Sequence, residues 1–129
     1  MLERIETWRM WVLCDREPVK DWSKGRVALL GDAAHPMLQY LAQGAAMATE
    51  DAVCLGDKVA EQPDDLPAAL AAYVQQRYLR TARVQIMARV YGEFYHARGP
   101  AAELRNQMLG GRTPEESFEG ISWLYGGGA

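Results

Sequence analysis

The spacing of apolar positions changes once along the chain, from short extended runs to long helical periods. Trp8 to Arg16 is rich in Trp, Val and Leu and alternates in the manner of a strand, which Glu17-Pro18 ends. Asp21 to Gly25 is a polar turn. Arg26-Val27-Ala28-Leu29-Leu30-Gly31 is a short apolar run closing on Gly31-Asp32, the pattern of a buried strand that feeds a loop. That loop is expected from Asp32 to Gln43 and contains a single proline, Pro36.

From Gly44 the pattern becomes helical. Ala45, Ala48, Ala52, Leu55 and Val59 share one face of a helix expected to run to about Ala60. Gln62-Pro63-Asp64-Asp65 breaks it, and Asp65 followed by Pro67 opens the next. This second helix is long, Pro67 to His96, with Leu70, Tyr73, Val74, Val84, Met87, Tyr91 and Phe94 on its apolar stripe. Arg77, Arg80, Arg83 and Arg89 lie mostly off that stripe and read as a solvated or interface face. Gly99-Pro100 ends the helix. A short helix is expected over Ala101 to Leu109, and Thr113-Pro114-Glu115-Glu116 starts a last one carrying Phe118, Ile121, Trp123 and Leu124. The glycine tail, Gly126 to Ala129, is expected to be disordered. The fold class is therefore mostly α, with one or two strands at the N-terminal end. Two lone strands do not form a stable sheet, so the imbalance suggests a piece of something larger.

Composition narrows this picture modestly. A chain of 129 residues, 49% apolar and with a net charge of -3, can build one modest core. Acids and bases are mixed along it, which gives no footprint for nucleic acid or an anionic membrane. No apolar stretch is long enough to span a bilayer, and the charged start lacks a signal run, so a soluble cytoplasmic chain is expected. Cys14 and Cys54 stand far apart and read as packed thiols.

Candidate chemistry is concentrated between Gly31 and Ala52. A strand ending at Gly31-Asp32 places a carboxylate at the edge of a sheet, where ligands of α/β folds collect. A carboxylate only accepts hydrogen bonds, which suits ligand hydroxyls. The helix at Gly44 has Gln43 or Gly44 where a capping Ser, Thr, Asp or Asn is usual, so its first amides lack a side-chain acceptor. Gly44, Ala45 and Ala46 are small and allow close approach, and a bare helix start attracts negative charge. The residues thus describe a site for a ligand with hydroxyls and delocalised negative charge. They equally describe an ordinary turn and an alanine-rich packing helix.

The stretch Gly31-Asp32-Ala33-Ala34-His35, then Gly44, then Glu50-Asp51-Ala52, resembles the second FAD-binding motif of group A flavoprotein monooxygenases. Asp15-Arg16-Glu17-Pro18, Trp22 and Gly25-Arg26-Val27 resemble the lead-in of the salicylate and 3-hydroxybenzoate hydroxylase branch. Arg105-Asn106, Gly111 to Pro114 and Trp123 to Gly126 resemble the end of that branch. The likeness spans nearly the whole chain and implies the C-terminal part of an α/β, Rossmann-like FAD enzyme. By this likeness residues 1–25 are the end of a substrate-domain sheet with a linker, 26–60 the strand-loop-helix carrying the motif, and 61–129 a C-terminal helical region.

Carried over residue by residue, the resemblance implies FAD as cofactor, with NADH or NADPH as electron donor and an aromatic acid as substrate. Gly31 shapes the turn, Asp32 holds the ribitol hydroxyl, and the backbone at Gly44, Ala45 and Ala46 faces the pyrimidine side of the flavin. Pro36 lies beside the ring where oxygen reacts. Three positions depart from the motif: Gln39 stands for a proline, Ala42 for a glycine and Ala46 for an asparagine. The variant Leu38 to Gly44 resembles 3-hydroxybenzoate 6-hydroxylases, where Gln39 would face the phenol; a salicylate 1-hydroxylase type of parent is the alternative. His35 is expected to brace the loop, and it has no Cys or Asp at metal spacing. Glu50 and Asp51 are expected to pack or be solvated, and His96 to serve the helix end as a cation. The G-x-G-x-x-G unit for the ADP half of FAD is missing, so the chain is expected to need an N-terminal half as partner and to be inactive alone. Whether the parent is a homodimer is open. A non-catalytic helical module that pairs through the long helix is the competing reading.

Overall fold

The structure, a computed structural model, describes residues 4–125. Two short strands, β1 (Ser23–Lys24) and β2 (Val27–Ala28), pair antiparallel around Gly25. They are followed by 3-10 turns at Gly31–Ala33 and Gln39–Leu41, then by helices α1 (Gly44–Glu61), α2 (Leu66–Tyr95), α3 (Pro100–Gly110) and α4 (Pro114–Tyr125). The mostly helical class with strands at the front is as expected, and the helix limits agree with the sequence to within a residue or two. The tail Gly126 to Ala129 lies outside the described residues.

The helix starts follow from local chemistry. Asp65 caps α2 by accepting from the Ala68 amide at 3.1 Å, with Pro67 in the first turn. Thr113 and Glu116 exchange the reciprocal bonds of a capping box at α4: the Glu116 amide donates to Thr113 Oγ1 and the Thr113 amide to Glu116 Oε2. His96 ends α2, with Nδ1 donating to the Gly92 carbonyl at 2.8 Å, the helix-end position expected of it.

The core forms where α1 crosses α2 beneath the loop. Trp22, Ala34, Cys54, Tyr73 and Val74 make one buried cluster, and Leu41, Met47, Val84, Ala88 and Leu124 a second. Both clusters draw on the loop as well as the helices, so the loop is bedded on α1 and α2 rather than free of them.

Three expectations are corrected. Trp8 to Arg16 forms no strand, because no neighbouring strand is there to take its backbone hydrogen bonds; Trp8, Met10, Trp11 and Val12 stand in solvent, Met10 at 95%. The run from Arg26 to Gly31 contributes only the two residues of β2, and Val27, Leu29 and Leu30 are exposed. Cys14 is exposed while Cys54 is buried, so only one of the two thiols is packed.

Candidate functional site

The start of α1 is bare. Its N-cap, Gln43, makes no side-chain cap, and no acidic residue occupies the first turn. The first amides of the helix therefore face outward without a side-chain acceptor. Asp32 sits on the 3-10 turn Gly31–Ala33 and is brought to this helix end: a Cβ placed on Gly44 would lie 3.7 Å from Asp32 Oδ1. Asp32 is exposed, and among the described residues its carboxylate has no ion pair and no side-chain hydrogen bond. Gly44 is half-buried, and Ala45 and Ala46 are exposed. These residues form an open shelf with a hydroxyl acceptor on one side and outward amides on the other. Enclosed small-molecule sites cover most of their ligand; this shelf presents one wall.

Beneath the shelf lies a buried charge network. Gly31 has φ +59°, and a Cβ there would lie 3.1 Å from that of Ala48, so both backbone and packing require glycine. The Gly31 amide donates to Asp51 Oδ2 at 3.1 Å. His35 Nε2 donates to the same oxygen at 2.5 Å, and Arg77 Nε donates to Asp51 Oδ1 at 2.7 Å. Asp51 and His35 are fully buried and Arg77 nearly so. Burial raises the Asp51 carboxyl, but the hydrogen bonds from His35, Arg77 and the Gly31 amide hold it below the ordinary range. Glu50 follows the same logic: burial raises it, and Arg80 and Arg77 lower it further. The His35 ring packs edge to face with Trp22, centroids 5.9 Å apart, and His35 Nδ1 and Trp22 Nε1 are both buried without a hydrogen-bond partner among the described residues.

The other end of the loop is tied separately. Gln85, buried on α2, donates to the Pro36 carbonyl at 2.9 Å and to the Arg16 carbonyl at 3.3 Å. Arg16 in turn donates to the carbonyls of Ala33 and Ala34. Arg89 holds Asp15 and Glu17, both at 2.5 Å. The segment from Asp15 to Glu17 is thus a strap across the loop. Pro36 is half-buried; Gln39 opens the second 3-10 turn and is exposed, with no side-chain hydrogen bond among the described residues. The next residue, Tyr40, packs so closely on Gly92 of α2 that a Cβ there would lie 2.5 Å from its ring. A cleft of about 500 Å³ opens beside Tyr40, lined also by Leu38, Asp15, Arg89 and His96.

The sequence-predicted residues therefore fall into two groups. Gly31, Asp32, Gly44, Ala45 and Ala46 converge at the start of α1, while Pro36 and Gln39 lie farther along the loop. His35 braces the loop as expected. The arginines of α2 divide: Arg77 is buried on Asp51 and Glu50, while Arg80, which joins Glu50 to the carbonyls of Trp123 and Leu124 at 2.8 and 2.9 Å, Arg89 and the exposed Arg83, which lies over the Trp123 ring, contact other elements as an interface face. Asp51, Arg77 and Gln85 were not picked out by sequence as supports of the site. For Gln85 a signal was present: with Thr81 it continues, at helical spacing, the stripe that runs from Tyr73 to Ala88. No three His, Cys, Asp or Glu side chains gather as a metal site among the described residues, and no described helix is long and apolar enough to cross a membrane.

The model of the FAD binding domain matches residues 2–88, more than half of the 129. The chain belongs to this FAD binding domain family. Among curated proteins it is 52% identical over 127 residues to 3-hydroxybenzoate 6-hydroxylase 1 of Aquipseudomonas alcaligenes, a match covering 98% of this chain and 32% of that protein. It is 47% identical to the 3-hydroxybenzoate 6-hydroxylase of Polaromonas naphthalenivorans (strain CJ2), with the same coverage. The crystal structure of Klebsiella pneumoniae HpxO complexed with FAD and uric acid superposes with a TM-score of 0.77 at 37% identity, covering 83% of this chain and 28% of that one. This member of the FAD binding domain family thus spans about a third of the length of the curated relatives it matches.

Proposed function

We propose that this chain supplies the flavin-facing half-site of an FAD-dependent hydroxylase acting on a phenolic aromatic acid, 3-hydroxybenzoate first among candidates. The observation that carries this reading is the meeting of an unpartnered Asp32 carboxylate with the uncapped amides at Gly44 to Ala46. The donor set suits a flavin. Asp32 accepts from hydroxyls of the ribitol chain, and the α1 amides and helix dipole favour the negative charge that a reduced flavin carries on its pyrimidine side. FAD, when bound, supplies the oxygen chemistry, with NADH or NADPH as electron donor. The chain's own residues orient it: Gly31 sets the turn, and Gln85 fixes the peptide at Pro36. Gln39, exposed on its turn, would offer an amide to a substrate phenol. Ala46 leaves only backbone donors where an asparagine would add a side chain.

An open shelf covers one side of a ligand, so the remaining two-thirds found in the relatives is the proposed partner. Residues 1–25 would join its substrate-domain sheet, 26–60 would face the flavin, and 61–129 would form the helical flank. A complementation assay tests the proposal. The chain is mixed with the separately produced remainder of a 3-hydroxybenzoate 6-hydroxylase, and NADH oxidation and gentisate are followed. Turnover in the mixture and none in either part is expected; no turnover and no FAD uptake by the mixture would overturn it. A second reading, a helical module that pairs through α2, is favoured by the exposed Leu79, Ile86 and Val90 on its outer face.

A further inference from the structure

We infer that Asp51 is the positioning residue of the flavin half-site: through the Gly31 amide it sets where the Asp32 carboxylate stands relative to the start of α1. The inference rests on reading that shelf as the flavin site.

Three donors from three parts of the chain converge on this one buried carboxylate. Gly31 reaches Oδ2 with its backbone amide, His35 reaches the same oxygen with Nε2, and Arg77 reaches Oδ1 with Nε. Only a carboxylate accepts from all three, because an amide of the same shape carries one oxygen and would turn a donor toward one of the partners. Arg77 holds Asp51 from α2, and Glu50 and the Met47 carbonyl hold Arg77 in turn. The anchor is therefore fixed on both helices, while its third contact is the residue just before Asp32. Gly31 is in the left-handed region and pressed against Ala48. The Gly31 amide on Oδ2 and the close approach to Ala48 fix the backbone from which Asp32, the next residue, extends. Asp51 itself lies beneath the shelf and has no exposed surface. It acts on the ligand through Asp32 and not by contact.

A structural role alone would tie any loss of FAD affinity to a loss of stability, and the two can be separated. The double variant Asp51→Leu/Arg77→Met replaces the buried ion pair with apolar side chains, an exchange that folded proteins often tolerate. It also removes the acceptor for the Gly31 amide. Leu70→Ala, in a buried position of α2 outside both core clusters that draw on the loop, lowers stability. For the wild-type chain and each folded variant, three quantities are measured: the urea midpoint and the Gly31 amide proton shift of the chain, and FAD affinity from quenching of flavin fluorescence in the mixture with the separately produced remainder of a 3-hydroxybenzoate 6-hydroxylase.

The double variant is expected to lose the downfield shift of the Gly31 amide and at least tenfold in FAD affinity. Leu70→Ala, although less stable, should keep the Gly31 shift and stay within threefold of wild-type affinity. If the double variant does not fold, Asp51→Asn is read by the same measurements and shows a smaller loss in the same direction. FAD affinity that survives loss of the Gly31 hydrogen bond, or that tracks the urea midpoint across all variants, overturns the inference. A wild-type chain that does not take up FAD even in that mixture overturns the half-site reading itself, and that result is obtained before any substitution is made.

Discussion

Ala42 carries the clearest local strain in the chain. It ends the Gln39–Leu41 turn with φ 52°, the left-handed region, and is the only residue other than glycine there among the described residues. Its Cβ costs energy in that conformation. Ala42→Gly is expected to stabilise the chain by about 1 kcal/mol, the strain relieved exceeding the entropy that glycine adds to the unfolded state. A shift of the urea midpoint upward at unchanged slope checks it. Gly31→Ala goes the other way: a left-handed backbone and a Cβ 3.1 Å from that of Ala48 should cost about 2 kcal/mol or more. At this scale the sequence was informative where a residue type has one reading. Gly31-Asp32 marked the turn and the free carboxylate, and the absence of a cap at Gln43 marked the bare helix. It was uninformative for Asp51 and Arg77, because adjacent acids and spaced arginines are most often solvated, and only the crossing of α1 and α2 buries these.

Between elements, the loop is held by charge where α1 meets α2. Asp51 and Glu50 are both held below the ordinary carboxylate range in the folded chain. A lowered carboxyl stabilises the fold above its unfolded value, and that contribution is lost as the pH falls toward the folded value. The urea midpoint should be level from about pH 8 to 5 and fall below about pH 4, where unfolded carboxyls begin to take up protons. Asp51→Asn, less stable at neutral pH, should fall less steeply. A midpoint that stays level down to pH 3 in the wild type would contradict the network. The same network reaches α4 through Arg80, which bridges Glu50 to the carbonyls of Trp123 and Leu124. Arg80→Met should loosen α4 at a cost of about 1–3 kcal/mol; its signs are a red shift of tryptophan emission and faster proteolysis between Gly110 and Pro114. Helix limits were readable because Asp65, Pro67, Gly99 and the Thr113 box act locally. The strand expected at Trp8 to Arg16 was not borne out, since a strand depends on a neighbour that its own residues do not encode.

Across the whole molecule, apolar surface is left uncovered on the side of the loop lead-in. Trp8, Met10, Trp11 and Val12 are exposed at 67 to 95%, and Val27, Leu29 and Leu30 continue the theme. Patches of this kind mark contact surfaces. Together with an open shelf in place of a closed pocket, and a length about a third of the curated relatives matched, they support the reading of a half-site that works with further protein. Sequence and structure both bring Asp32 to the uncapped start of α1, the place proposed for the cofactor. A titration with FAD of the isotope-labelled chain, mixed with the unlabelled remainder of a 3-hydroxybenzoate 6-hydroxylase and followed residue by residue by amide shifts, tests that place most directly. Shifts that grow with FAD and centre on Asp32, Gly44, Ala45 and Ala46, and that vanish in Asp32→Leu, are expected. Shifts centred elsewhere, or none at millimolar FAD, would contradict it.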